Sequence, residues 1–422
     1  MKVLVVGSGG REHALVWKIS QSAAGAKIYC APGNAGIAEQ AELVPIGADQ
    51  IEKISEFAAR AKVDLTVVGP ELPLTLGIVD LFESRGLKIF GPDRAAARLE
   101  GSKVFAKELL AENGIPTAPF RVFEDEARAR AYLEARPLPC VVKADGLAAG
   151  KGVMVCTSAA EAKAAVEQLM VQRVFGSAGE TIIVEDFLEG EEASFMALVD
   201  GENYLPLASS QDHKRAFDGD RGPNTGGMGA YSPAPILSRD AEERVAKEIL
   251  KPLMRGLTKR GIRYRGVLYI GLMVTADGPK VLEFNCRFGD PECQAVVMRL
   301  EDDLLSLFEA TIAGRLDQAR ASWSDEAAAC VVLCAGGYPG PFEKGKPIKG
   351  LEKLKGRDKV AVFHAGTAFA GGQWLTAGGR VLGVTARGAS LSDALAEAYR
   401  AVAEIEWEGM HYRRDIGWRA LK

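Results

Sequence analysis

The sequence predicts a multidomain protein of α/β and α+β class, with an N-terminal open parallel α/β sheet, a larger central unit and a small C-terminal α/β unit. Three observations carry this. The chain has 422 residues, more than one ordinary core supports and suited to two to four packed units. Over its first quarter, short continuous apolar runs alternate with helical patterns, as in parallel strands buried on both faces. The texture then changes near Ser102 and again near Ala327. The expected units are 1–101, 102–325 with a subdomain at about 120–190, and 326–422.

The first strand is Val3–Val6, followed by a glycine turn and a helical pattern over Glu12–Ser20. Lys27–Cys30, Leu65–Val68 and Leu87–Phe90 read as further strands, each stopped by Gly or Pro. Right-handed crossovers between them imply an open sheet whose ligands sit beyond the strands' carboxyl ends. That rim carries Gly7–Gly10, Pro32-Gly33-Asn34 and Gly69-Pro70-Glu71. Lys103–Asn113 is helical and is closed by Gly114-Ile115-Pro116-Thr117. Strands follow at Cys140–Lys143, Val153–Val155 and Thr181–Glu185, then a polar, glycine-rich stretch from Gln211 to Gly229. A helix near Glu242–Arg260 precedes the strands Val267–Val274 and Lys280–Glu283. The last unit holds the strands Ala329–Cys334 and Arg380–Ala386 and a helix over Leu391–Ile405.

Composition excludes several classes. A formal net charge of −4 leaves no basic excess for a polyanion, so no nucleic-acid partner is expected. No apolar stretch approaches the roughly 20 residues of a membrane helix. Seven scattered cysteines fit buried thiols in a reducing compartment, the cytoplasm. Cys330 and Cys334 have the wrong spacing for zinc and lack accompanying ligands. His364 and His411 stand alone and receive no role.

Four segments carry chemistry. Gly7-Ser8-Gly9-Gly10-Arg11-Glu12-His13 opens a helix directly after a strand, where bare backbone N–H groups and the helix dipole favour phosphate. A dinucleotide fold fails here, because Glu12 replaces the third glycine and Cys30-Ala31-Pro32-Gly33 offers no acid for a ribose. A sugar phosphate with Arg11 as counter-charge fits better; the alternative is a tight turn and nothing more. The run Val141 to Val153 puts Lys143 on a strand before a glycine-rich turn containing Gly146, Gly150, Lys151 and Gly152. The Walker spacing is one residue short, and Gly152 replaces the metal-binding hydroxyl. The segment reads as a flap over a triphosphate, or else as an exposed hairpin. Glu185-Asp186-Phe187-Leu188 links two strands, with Glu192 beyond it. Its backbone could meet adenine, Phe187 or Leu188 could cover the ring, and Glu192 could hold a ribose; the alternative is a solvated acidic linker.

The fourth segment, Val281 to Glu292, is the most informative. Strand alternation puts Glu283, Asn285 and Arg287 on one face and Leu282, Phe284 and Cys286 on the other. A carboxylate beside an amide oxygen suits Mg²⁺, and Arg287 could clamp a transferring phosphoryl group or a carboxylate. Gln211–Gly229 reads as a flexible lid over substrate.

Together these segments resemble the ATP-grasp superfamily and, within it, the phosphoribosylamine–glycine ligase family. Besides the flap, the resemblance rests on Gly7–His13, Gly69-Pro70-Glu71, Gly101-Ser102-Lys103, Asp212-His213-Lys214, Pro223–Gly229 and Arg287–Gln294. It runs nearly end to end and is similar to the stand-alone bacterial form. The resemblance implies ATP as co-substrate, Mg²⁺ or Mn²⁺, and glycine and 5-phosphoribosylamine as partners, joined through glycyl phosphate. Lys103, Lys143 and the flap would meet the phosphates, and Glu185, Phe187, Leu188 and Glu192 the nucleoside. Glu283 and Asn285 would hold metal, with Arg287 beside the moving phosphoryl group. Gly9, Gly10, Asn34 and Glu71 would face the sugar phosphate, and Asp212 and Asp290 an amine. A monomer or weak homodimer is expected. Tyr269-Ile270-Gly271-Leu272 departs from the superfamily by offering no second acidic ligand. Another ATP-grasp ligase or carboxylase, a silent nucleotide-binding regulator and an NAD-dependent oxidoreductase are the competing readings.

Overall fold

In the computed structural model, which describes residues 1–23, 25–148 and 152–421, the first unit is a five-stranded parallel sheet. Its spatial order is Glu42–Leu43, Lys27–Pro32, Lys2–Gly7, Leu65–Val68, Ile89–Phe90. Val3 and Val5 enter one apolar core and Leu4 and Val6 another, so both faces are buried and the run cannot alternate with polar residues. Glu42–Leu43 is too short and polar to be read from sequence. The helix Gly10–Ser20 begins two residues before the expected start, because Glu12 Oε2 accepts the Gly9 N–H at 2.5 Å and caps the turn. The Glu12 side chain fills the space above Gly7 and Gly69, where an added Cβ would lie 2.5 and 2.2 Å from it.

The middle unit has two antiparallel sheets. Phe120–Phe123, Ile182–Asp186, Cys140–Ala144 and Val153–Cys156 lie side by side in that order over their own small core of Ala129, Val142, Ala162 and Val184. The second sheet runs Tyr204–Pro206, Glu191–Val199, Gly266–Thr275, Gly278–Asn285. Its side chains join the cores of the first unit, Phe195 and Ile270 on one side and Met196 and Tyr269 on the other. One element departs from the expected alternation. Val281 pairs with Leu272 and Glu283 with Gly271, so Leu282 is an extra residue in a bulge. Val281 therefore enters the core, and Leu282 turns to the cleft instead of lying opposite Glu283.

The last sheet is antiparallel, in the order Gln211–Asp212, Gly229–Ser232, Ala327–Cys334, Arg380–Gly388, Val360–His364. The helix Leu391–Val402 packs on it through Leu395, Ala398 and Val402. Two of these strands come from the stretch expected to be a free lid, and that expectation is corrected. Arg215–Phe217 and Arg221–Asn224 form a hairpin, and the C-terminal residues hold it down. The fully buried Arg413 donates to Asp220 Oδ1 at 2.8 Å and to Asp415 Oδ1 at 2.7 Å. Arg419 takes the other Asp220 oxygen at 2.7 Å, and His213 Nε2 accepts the Gly417 N–H at 2.9 Å. These charged, hydrogen-bonded anchors add to the apolar contact that Met228 makes with Cys330, Val332 and Cys334.

Candidate active site

The three units meet around a cleft of about 430 Å³. Lys103, at the start of the helix Lys103–Glu112, reaches it because Ser102 caps that helix by accepting the Phe105 N–H. Its ammonium donates to Gly146 O at 2.9 Å, tying the helix to the beginning of the flap. Gly146 has φ +126°, and a side chain there would meet Ala178 at 2.9 Å, so glycine is required. Lys143 Nζ lies 3.0 Å from Glu185 Oε1 and donates to Leu282 O at 3.1 Å. Gly152 also lines the cleft. Gly150 and Lys151 lie outside the described residues. Glu185 is shared with Lys107, whose Nζ is 3.1 Å from Oε2 and donates to Thr117. Burial brings the Lys107 ammonium down to about 8 despite the opposing pull of Glu185. Phe187 is exposed and Leu188 half-buried, both beyond the cleft lining.

Glu283, Asn285 and Arg287 line the same cleft from the edge strand Gly278–Asn285 and the bend after it. Burial pushes the Glu283 carboxyl up, but Lys214, Lys143, Lys103 and Arg287 outweigh it and hold the group below its usual range. An ionised carboxylate beside an amide oxygen is a hard donor set, which fits a divalent ion such as Mg²⁺. The Arg287 fork spans two units. Its Nε lies 3.2 Å from Glu71, its Nη2 donates to Glu100 at 2.8 Å and Asn285 Oδ1 at 3.3 Å, and its Nη1 to Phe288 O at 3.2 Å. Glu71 is thereby brought from the first sheet's rim to the middle unit's edge strand.

Asp212 enters from the strand Gln211–Asp212, and Lys214 stands just before the hairpin anchored by the C-terminus. Lys214 Nζ is 2.9 Å from Glu192 and 3.6 Å from Glu283, so a single cation sits between two carboxylates that were expected to bind different parts of the ligand. Glu192 itself lies outside the cleft lining. Glu292, buried beside them, accepts from Ser194 at 3.0 Å and Tyr269 at 2.9 Å. Burial pushes the Asp212 carboxyl up to about 8, with Lys214 opposing and Glu292, Glu192 and Glu283 adding to the rise. Between its unfolded value of 3.8 and about 8 the folded state holds the extra proton, so this group's contribution to stability falls as pH rises. Asp212→Asn, which cannot titrate, is expected to flatten the pH dependence of urea unfolding across that window. It should also add about 1–2 kcal/mol of stability near the upper end of that window. A slope unchanged by the substitution would assign the titration elsewhere.

The sugar-phosphate rim is less open than the sequence implies. Gly9 and Gly10 lie just outside the cleft lining, with Asp290 close by: an added Cβ at Gly9 would be 3.6 Å from Asp290 Oδ2. Asn34 has every polar position engaged. Its amide donates to Ser8 O and His364 O at 2.8 Å, and its oxygen accepts from Gly36 and Ile37 N–H. His364 belongs to the same seam, its N–H donating to His13 Nδ1 at 2.8 Å. Arg11 is buried, donating to Glu12 and to Phe288 O.

Reading the sequence missed Lys107, Glu100, Lys214, Glu292, Tyr338 and Arg380, all but Lys214 on the cleft lining. Lys107 carried a signal, since it stands four residues after Lys103 on one helix face. Arg380 had none: it reaches the cleft from the last sheet, far along the chain.

Comparison with known proteins covers almost the whole chain. Three models of phosphoribosylglycinamide synthetase match: its N domain over residues 1–100, its ATP-grasp (A) domain over 101–293 and its C domain over 328–419. Curated proteins named phosphoribosylamine–glycine ligase include one from Pseudomonas aeruginosa, 53% identical over all of this chain and 98% of its own length. Another, from Brucella melitensis, is 51% identical over all of this chain and 99% of its own length. The crystal structure of phosphoribosylamine–glycine ligase from Thermotoga maritima superposes with a TM-score of 0.86 at 34% identity, covering 98% of this chain and 100% of that one. The biotin carboxylase domain of Hydrogenobacter thermophilus 2-oxoglutarate carboxylase, solved with MgADP and bicarbonate, shares the fold. Its TM-score is 0.73 at 17% identity, over 97% of this chain and 91% of that one.

Proposed function

The chain belongs to the phosphoribosylglycinamide synthetase family, and on that premise we infer that it joins glycine to 5-phosphoribosylamine with cleavage of ATP, in purine synthesis. The products are glycinamide ribonucleotide, ADP and phosphate. The observation that carries this reading is the convergence on one cleft of Lys103, Lys143, Glu283, Asn285 and Arg287 with Glu71 from the rim of the first sheet.

The chemistry follows from the substrates. A carboxylate resists an amine because its leaving group would be an oxide. In the first half-reaction a glycine carboxylate oxygen bonds to the γ-phosphorus, and the bond from that phosphorus to the ADP oxygen breaks. In the second, the nitrogen of phosphoribosylamine attacks the carbonyl of glycyl phosphate, phosphate leaves, and the amine gives up a proton. Positioning, charge neutralisation and exclusion of water are the protein's tasks.

Lys103, Lys143 and the flap backbone neutralise the triphosphate, and Arg287 takes the γ-phosphoryl group as it moves. Glu185, held between Lys143 and Lys107, is the carboxylate that meets the 6-amino group of adenine. Asp212 and Asp290 accept from the substrate amines, and Gly9 and Gly10 face the sugar phosphate. Glu283 and Asn285 would hold a Mg²⁺ or Mn²⁺ ion, which when bound neutralises charge on the triphosphate. The seven cysteines are free and buried, which suits the cytoplasm.

ADP release, measured with glycine and phosphoribosylamine each present or absent, tests the reading. Full turnover is expected only with both. Release indifferent to glycine, or equal with other small acids, would overturn it.

A further inference from the structure

Arg380 opens the strand Arg380–Gly388 of the last sheet, yet its guanidinium lies in the cleft. Nη1 donates to Gly226 O at 2.6 Å and Asp290 O at 2.8 Å, and Nη2 to Asp290 Oδ2 at 3.0 Å. Tyr338, from the same unit, accepts the Gly226 N–H at 3.2 Å. Both sides of Gly226 are thus held by the last unit. Gly227 packs so closely on the turn that an added Cβ would meet Pro291 at 2.4 Å. Arg380 therefore joins the glycine-rich strand connection, the Gly289-Asp290-Pro291 turn and the last sheet at one point.

Asp290 is the group this arrangement serves. Gln294 Nε2 donates to its Oδ1 at 2.8 Å, and Arg380 donates to its Oδ2, so each oxygen keeps a lone pair for another donor. Burial pushes the carboxyl up; Arg380 leads the neighbours that bring it below its ordinary value, followed by Arg11, Gln294 and Arg287. A carboxylate so near Gly9 and Gly10 would repel a phosphate held there unless its charge were matched. Arg380 matches it and leaves the two oxygens usable.

We propose that Arg380 is a positioning residue for the amine-joining half-reaction, holding Asp290 so that the carboxylate accepts hydrogen bonds from the amine or hydroxyls of the sugar-phosphate substrate. The proposal rests on the reading of Asp290 as a contact of that substrate. It gives the last unit a share in the place where phosphoribosylamine sits, through a carboxylate that the middle unit carries.

The test compares Arg380→Met, Arg380→Lys and Asp290→Asn in the full-length protein, with KM measured for each of the three substrates. Arg380→Met should raise KM for phosphoribosylamine by about tenfold or more and leave KM for ATP and glycine within about twofold. Arg380→Lys keeps the charge without the fork and should recover part of the loss. If Arg380→Met alters all three KM values equally, or none, the residue is a structural staple and the proposal falls. If Asp290→Asn leaves the phosphoribosylamine KM unchanged, the reading of Asp290 fails and takes the proposal with it. A rise with Asp290→Asn but not with either Arg380 variant overturns the proposal alone.

Discussion

Glu283→Ala is expected to lower kcat by about a thousandfold or more while the protein stays folded. The side chain projects from an edge strand into the cleft and contributes nothing to the apolar cores. Its removal orphans no partner, because Lys214 keeps Glu192 at 2.9 Å. What disappears is the acidic donor proposed for the divalent ion, along with the negative end of a site ringed by Lys103, Lys143 and Lys214. A thousandfold is about 4 kcal/mol of transition-state stabilisation, the scale of one preorganised electrostatic contact in a dry site. Turnover and urea unfolding measured together decide the matter. Loss of both would make Glu283 structural, and unchanged turnover would remove it from the metal site.

Arg287→Lys should slow phosphoryl transfer by about a hundredfold to a thousandfold and weaken ATP binding by no more than about threefold. Arg287 serves four acceptors, Glu71, Glu100, Asn285 and Phe288 O, from one planar fork. An ammonium on a flexible stem cannot serve that spread of acceptors, and it presents a point charge to a trigonal phosphoryl group. Single-turnover ADP formation set against ATP titration separates the two effects; equal losses in both would reject the assignment. Arg287→Met should behave differently again. It leaves the buried Glu100 without its guanidinium beside the half-buried Glu71, at a cost of about 3 kcal/mol in stability.

Much of this was legible before any tertiary contact was known. The open parallel sheet could be read from Val3–Val6 and Leu65–Val68 because a strand buried on both faces must be apolar at every position. Glu283, Asn285 and Arg287 could be placed together because a strand's period is two, although the bulge at Leu282 shifted its neighbours. Legibility failed where polar residues find partners far along the chain. Asp212 and Gly229 lie in a polar, glycine-rich stretch with no readable alternation, yet their strands sit in a sheet with Ala327–Cys334. Asn34 looked free for a ligand, and the His364 carbonyl takes one of its donors.

By itself, then, the sequence determined the open parallel sheet, the strand that carries Lys143 and the strand that carries Glu283 and Asn285, since each is written in a contiguous run whose spacing follows backbone geometry. The tertiary structure alone decided which cations the carboxylates share, why the supposed lid is anchored, and how Arg380 reaches Asp290. Charge pairing acts through space and leaves no periodic trace, so a separation of 90 positions between Asp290 and Arg380 carries no sign of the contact.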